Sequence, residues 1–469
     1  MAEFARRLAL HVVISLAGRV LGLGINAFTF LYIARTLGPE RFGIYTLALV
    51  FVTFFATVVD NGVNITVSRM LAQRPQDAGA VLGNALVLKT CAGLVLMAVA
   101  VAVAQGPWVD ERIRTVVPVA SGLILVTSLS VVNAFFQARV DMRWVVAGDL
   151  FTRLCFFALA LAVLTNGGDV HALVAAQVVA AVLGALLPLG RALTLVAPGF
   201  GMNWTVWRAI VRPAVALSLS LALGMLTARF DVVALSWSVS DRELGLYSAA
   251  FRLIDLLLLI PGLMLQVVFP AFVSDGTARI QLASRYRRVA GVLLVFGLPL
   301  AALLSVAAGP ALAFTAGEAY RDSAPTMATL SWGMLAVFMA SVMLYVLVAL
   351  GLYRRLLGWS LCGTLVSVGL SLTLVPRYGT AGAAIATVTA HTVVLLGLAR
   401  ELGRQHISPW PDLIPEALSL ALTVATITVL LLPHAPIAVA AGIATSAAAL
   451  LVAVLPRTRR EVTALLRRE

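Results

Sequence analysis

Nine charged residues lie inside otherwise apolar stretches of this sequence: Arg19, Lys89, Arg153, Arg229 and Arg252, with Asp60, Asp149, Asp231 and Asp255. A charge at the centre of a membrane-crossing helix disfavours insertion by roughly 2.5–3.5 kcal/mol, so it is expected to face a cavity or a partner. Spacing sorts the nine. Asp149 and Arg153 are four apart and Arg252 and Asp255 three apart, so each pair can neutralise itself along one helix face. Arg229 and Asp231 are two apart and point to different sides near a helix end, where a long arginine can snorkel. Arg19 and Lys89 have no acid within helical reach. An arginine fork matches the oxygens of a phosphate and a lysine adds a compact point charge. Arg19 and Lys89 are therefore the leading candidates for binding a phosphorylated anion, with Arg153, Arg229 and Arg252 as further candidates. Asp60 can pair with Arg19 when such a site is empty, which makes it the candidate coupling residue. His171 and His391 stand near helix ends without a second ligand, and Cys91, Cys155 and Cys362 form no disulfide or metal pattern. No catalytic residue, metal or cofactor is expected.

The elements that must position these charges follow from composition. Hydrophobic residues make up 61% of the 469, charged residues 12%, and mean hydropathy is +1.00, far from the balance of a soluble domain. Fourteen apolar runs, from 8–34 to 435–455, are each about long enough to cross a bilayer and are joined by short turns. The expected fold is an all-α membrane protein of about 14 transmembrane helices with no soluble domain. The first run follows Arg6 and Arg7 but lacks a small-x-small cleavage signal, so it reads as a retained span. Placing the N-terminus inside puts 22 basic residues in the inner segments and 7 in the outer loops. The positive-inside rule then puts both termini in the cytoplasm. The net charge of +13 is spread over short inner segments facing anionic membrane lipids, and no folded domain exists to hold nucleic acid.

One doorstep occurs twice. "ERFGIYTLAL" begins at Glu40, and "RELGLYSAAF" begins 202 residues later at Arg242. Each opens a long span after a charged turn, with a glycine permitting close backbone approach and a tyrosine expected near headgroup level. "QARVDMRWVVAG" (137–148) lies similarly over "ALGLYRRLLGWS" (349–360). The expected organisation is two pseudo-symmetric six-helix lobes, 1–195 and 196–405, followed by two C-terminal helices and a basic cytoplasmic tail at 406–469. Six spans per half give both halves one orientation, as in transporters with parallel repeats. Bundles of two like lobes rock around a shared chamber, which is expected to hold the buried cations.

"ARTLGPERFGIYTLALVF" (34–51), "DNGVNITVSRMLA" (60–72) and "VPRYGTAGAAIATVTAH" (375–391) together resemble the polysaccharide biosynthesis, Wzx-type flippase family, within the superfamily of multidrug, oligosaccharidyl-lipid and polysaccharide exporters. The resemblance covers nearly the whole chain and implies two six-helix lobes that face the two sides of a bacterial cytoplasmic (inner) membrane alternately. It implies as cargo a polyprenyl-diphosphate-linked oligosaccharide moved to the outer leaflet for surface polysaccharide assembly, and as partner a polysaccharide polymerase machinery. It also implies that the last two runs, whose one charge is Glu416, flank a groove for the polyprenyl tail. The chain departs from lipid II flippases in lacking their longer charged loops.

Two other classes compete. A multidrug or cation antiporter of the same superfamily would favour an acidic cavity, whereas the intramembrane cations here outnumber the acids. A polymerase or glycosyltransferase would need a catalytic base in a sizeable outer loop. The outer loops are about ten residues or shorter, and none combines a carboxylate with a histidine. The sequence therefore reads as a transporter and not an enzyme.

Overall fold

The computed structural model describes residues 2–73, 75–107, 109, 111–139, 141–273 and 279–408. The last two predicted spans, with Glu416, lie outside the described residues, as do the side chains of Arg19 and Asp60. In chain order the α-helices are α1 (Ala2–Gln73), α2 (Ala78–Ala104), α3 (Glu111–Arg114), α4 (Val117–Ala120), α5 (Gly122–Leu129), α6 (Val131–Ala138), α7 (Arg143–Thr165), α8 (Val170–Leu195), α9 (Trp204–Ser236), α10 (Asp241–Val273), α11 (Arg279–Val306), α12 (Ala308–Thr315), α13 (Ala324–Ala349) and α14 (Tyr353–Arg404). No strand occurs among the described residues. Nine stretches among them are long and apolar enough to cross a membrane, and the chain is a multi-pass membrane protein.

Two of those stretches are 51 residues long. Straight, each would reach roughly 75 Å, more than twice the hydrocarbon thickness of about 30 Å. Both fold back at a glycine. In α1, Gly38 has φ 72° and ψ 169°, and the rings of Phe30 and Phe42 meet at 4.9 Å between centroids. Twelve residues of straight helix would separate them by about 18 Å. In α14 the turn is Gly379, at φ 54° and ψ −130°. The Trp359 ring there lies over Gly397, and Val394 packs on Gly363, so the two arms pair about the turn as an antiparallel hairpin.

The chain divides into two compact units, Met1–Gly245 and Leu246–Glu469. Lipid is as apolar as a leucine core, so helices in a bilayer associate largely through close packing of small residues. In the first unit α7 meets α8 in this way: a Cβ on Gly148 would stand 2.8 Å from the Gly184 carbonyl. The repeated doorstep is a second example. A Cβ on Gly43 would strike the Asp241 carbonyl, and one on Gly245 would strike the Pro39 carbonyl, so the two copies of the motif pack backbone to backbone. Asp241 is further tied to Arg112 by an ion pair. Tyr45, expected at headgroup level, is 1% exposed and donates its hydroxyl to Gln177 Oε1 on α8 at 2.8 Å.

The non-helical segment 196–203 runs from α8 to α9 along α2. The Gly199 amide donates to the Gly79 carbonyl at 2.9 Å, and the Asn203 amide donates to the Asn84 side-chain carbonyl at 2.8 Å. Asn203 then caps α9 by accepting from the Thr205 amide. Asp169 caps α8 in the same manner, accepting from the Ala172 amide at 3.0 Å. That bond to its charged form, with His171 alongside, holds its carboxyl below the usual carboxylate range. In the second unit, α13 supplies the core through Met334, Phe338, Val342 and Val346, with Phe338 stacked on Phe296 of α11.

Candidate functional site

The apolar run 113–137, the fourth of the predicted spans, is built mainly from three short helices. Breaks at Ser121 and Ser130 separate α4, α5 and α6. At the second break the Ser130 amide bonds the Thr127 carbonyl at 3.1 Å and the Asn133 amide bonds the Ser130 carbonyl at 2.8 Å, a tightened i to i−3 pattern. Hydroxyls compete with the helix ladder here. Thr127 Oγ1 donates to the Ile124 carbonyl at 2.6 Å, and Ser128 Oγ donates across to the Lys89 carbonyl on α2 at 2.9 Å.

Lys89 meets this break. Its side chain is fully buried, and Nζ donates to Ser130 Oγ at 2.9 Å and to Asn64 Oδ1 on α1 at 3.0 Å. Asn64 Nδ2 in turn donates to Ser130 Oγ at 3.0 Å. An ammonium has three protons to place and is costly to bury without acceptors, so the triangle of Asn64, Lys89 and Ser130 locks α1, α2 and the broken span together at one point.

Beside that triangle lies a cavity of about 520 Å³, wholly within the first unit. Its polar lining is Thr53, Thr127, Ser130, Asn133, Asp149 and Thr152, and Gly18 of α1 also borders it. Ser130 both lines the cavity and accepts from Lys89, so the buried ammonium stands one hydroxyl away from the cavity wall. Thr127, Ser130 and Asn133 recur every third residue and share a helix face, the signal in the sequence that points to this wall.

The other predicted residues distribute as follows. Arg153 Nε donates to Asp149 Oδ2 at 2.9 Å, and the pair rests over Gly22 of α1. Arg252 and Asp255, in the second unit, approach to 3.9 Å. Arg229 is half-buried, while Asp231 is 1% exposed and accepts from the Val232 amide at 2.7 Å. Arg19 and Asp60, the expected phosphate-binding and coupling residues on α1, fall among side chains outside the described residues. The structure thus brings Lys89, Asp149 and Arg153 around one part of the first unit, with Asn64 and Ser130 as partners that charge alone did not single out. Among the described residues no group of three or more His, Cys, Asp and Glu is placed to hold a metal ion.

The arrangement places a cation behind a hydroxyl, a carboxylate–guanidinium pair and a row of small polar groups around one cavity.

The fold matches solved transporters. Over 95% of this chain and 100% of theirs, it superimposes on a lipid II flippase MurJ in an inward closed conformation with a TM-score of 0.78 at 12% identity. A multidrug resistance MATE family transporter of the MOP superfamily, inward-facing, matches with a TM-score of 0.63 at 15% identity over 85% of this chain and 98% of that one. A MOP superfamily transporter from Pyrococcus furiosus, whose binding pocket is described as of reverse polarity, gives 0.59 at 16% identity over 86% and 95%. At these identities the likeness establishes the fold. No curated protein sequence matches the chain. The sequence model for "Polysaccharide biosynthesis protein" matches residues 9–274, more than half of the chain. Because that model covers more than half of it, the chain belongs to the polysaccharide biosynthesis protein family.

Proposed function

We propose that this protein is a flippase that moves a polyprenyl-diphosphate-linked oligosaccharide from the cytoplasmic to the outer leaflet of a bacterial inner membrane by alternating access, for surface polysaccharide assembly. The family match over 9–274 carries the reading. The buried Lys89 ammonium behind the Ser130 hydroxyl of the cavity supports it, because a fixed positive charge in a low-dielectric surrounding favours a diphosphate. In this reading Arg19, Lys89, Arg153, Arg229 and Arg252 supply the positive charge that the headgroup meets, and Asp60 couples turnover to an ion. The lobes 1–195 and 196–405 are the moving bodies, both termini are cytoplasmic, and a polysaccharide polymerase consumes the product.

The test is transport by the purified protein in liposomes. A labelled polyprenyl-diphosphate glycan should cross the bilayer, and Arg19→Ala should abolish crossing while leaving the thermal unfolding transition in place. Normal transport by the folded variant would remove Arg19 from the mechanism.

One observation favours a second reading. The cavity wall carries the carboxylate of Asp149, which a cationic drug would seek, and the MATE transporters share the fold. Overexpression separates the two: a clear gain in drug resistance, with no glycan-lipid movement in liposomes, would favour the multidrug antiporter.

A further inference from the structure

The second unit holds a charged cluster apart from the cavity. Glu401, near the end of α14, is 3% exposed. Its Oε2 accepts from Arg355 Nη1 at 2.7 Å and its Oε1 from Arg404 Nη1 at 2.7 Å, while Trp359 Nε1 donates to Oε1 at 3.4 Å. The Arg355 and Arg404 side chains are 46% and 51% exposed. Arg354 and Arg400, beside them in sequence, are exposed as well.

One carboxylate thus gathers two guanidinium groups and neutralises one. Both forks keep donors that face outward, and two like charges held this close repel until an anion lies against them. A salt bridge serving only to clamp the α14 hairpin would need one arginine.

Exposed leucines lie farther along both arms of the hairpin. Leu357, Leu361 and Leu365 continue from Arg354 at helical spacing and are 44%, 43% and 65% exposed. On the returning arm Leu396, 54% exposed, stands one and two turns from Arg400 and Arg404. Basic groups therefore cap two exposed leucine-bearing arms of one hairpin, at the end that the arginine distribution assigns to the cytoplasm.

We propose that Arg355 and Arg404, held by Glu401, bind the phosphate of an anionic membrane phospholipid of the inner leaflet. The guanidinium forks match the non-bridging oxygens of a phosphodiester, and basic pockets between helices on the cytoplasmic side favour such headgroups. The site is independent of the cargo reading, since it uses none of the residues assigned to that role.

Native mass spectrometry of the full-length protein tests this after extraction from vesicles of phosphatidylcholine and phosphatidylglycerol. The wild type should retain phosphatidylglycerol in preference to phosphatidylcholine. Arg355→Gln/Glu401→Gln/Arg404→Gln removes a net charge of +1 and should weaken that retention by about fivefold. Should the triple variant fail to fold, Arg404→Gln leaves the Arg355–Glu401 bond across the hairpin in place and should weaken retention by about fivefold. Indifference of the wild type to the headgroup, or unchanged retention in a folded variant, overturns the proposal in favour of a purely structural clamp. Displacement of phosphatidylglycerol by an equimolar polyprenyl diphosphate also overturns it and assigns the cluster to that lipid.

Discussion

At the scale of single residues, Lys89 illustrates how a bilayer protein keeps a charge it cannot expose. Its ammonium is fully buried, and Asn64 and Ser130 both accept from it. A hydrogen bond to a charged group contributes about 1.5–3 kcal/mol. Ser130→Ala should therefore destabilise the protein by about that much, read as a shift in denaturant unfolding of the detergent-solubilised protein. In a Lys89→Met background the same serine substitution should cost far less, because no charge remains to be solvated. Equal costs in both backgrounds would mean that the hydroxyl does not carry the ammonium. Asp149 and Arg153 differ in kind. Their side chains are 46% and 26% exposed, and exposed pairs four apart contribute only about 0.3–0.5 kcal/mol.

At the scale of elements, two glycines turn over-long helices into hairpins. Gly38 and Gly379 hold positive φ in regions that residues with a Cβ avoid, and forcing a side chain there costs on the order of 1–3 kcal/mol. Gly38→Ala and Gly379→Ala should each lower stability by that amount. Gly190→Ala on α8, an open helical position, should be neutral or raise stability by up to about 1 kcal/mol. Thermal unfolding of the three variants side by side checks the contrast, and equal effects would deny the turns their role. The broken span α4–α6 is the complementary device. Its helix is interrupted where Ser128 and Ser130 reach α2, and irregular backbone is tolerated at membrane depth where it is buried in protein or lines a cavity.

At the scale of the whole molecule, orientation decides which end meets which leaflet. Basic residues concentrate on one set of loops, 22 against 7, and each arm of the α14 hairpin is about long enough to cross the membrane once. In a variant lacking Cys91, Cys155 and Cys362, a membrane-impermeant maleimide added outside intact cells should label Arg377→Cys at the turn. It should not label Gly403→Cys at the far end until the cells are broken. The reverse pattern would invert the topology and move the arginine cluster to the outer leaflet.

Composition and hydropathy were enough to read an all-helical multi-pass protein, because a bilayer permits few ways to satisfy a backbone and buried charge stands out against apolar runs, while the family reading came from the resemblance carried by 34–51, 60–72 and 375–391. The sequence also singled out Lys89 and the spacing of Asp149 and Arg153. It did not reveal that the two doorsteps pack on each other, that Tyr45 turns inward to Gln177, or that Asn64 and Ser130 receive the Lys89 ammonium. Those partners lie 25 and 41 residues from Lys89. Helical spacing relates only residues three or four apart, and contacts between distant helices are set by how small residues let the backbones approach, which only the assembled structure decides.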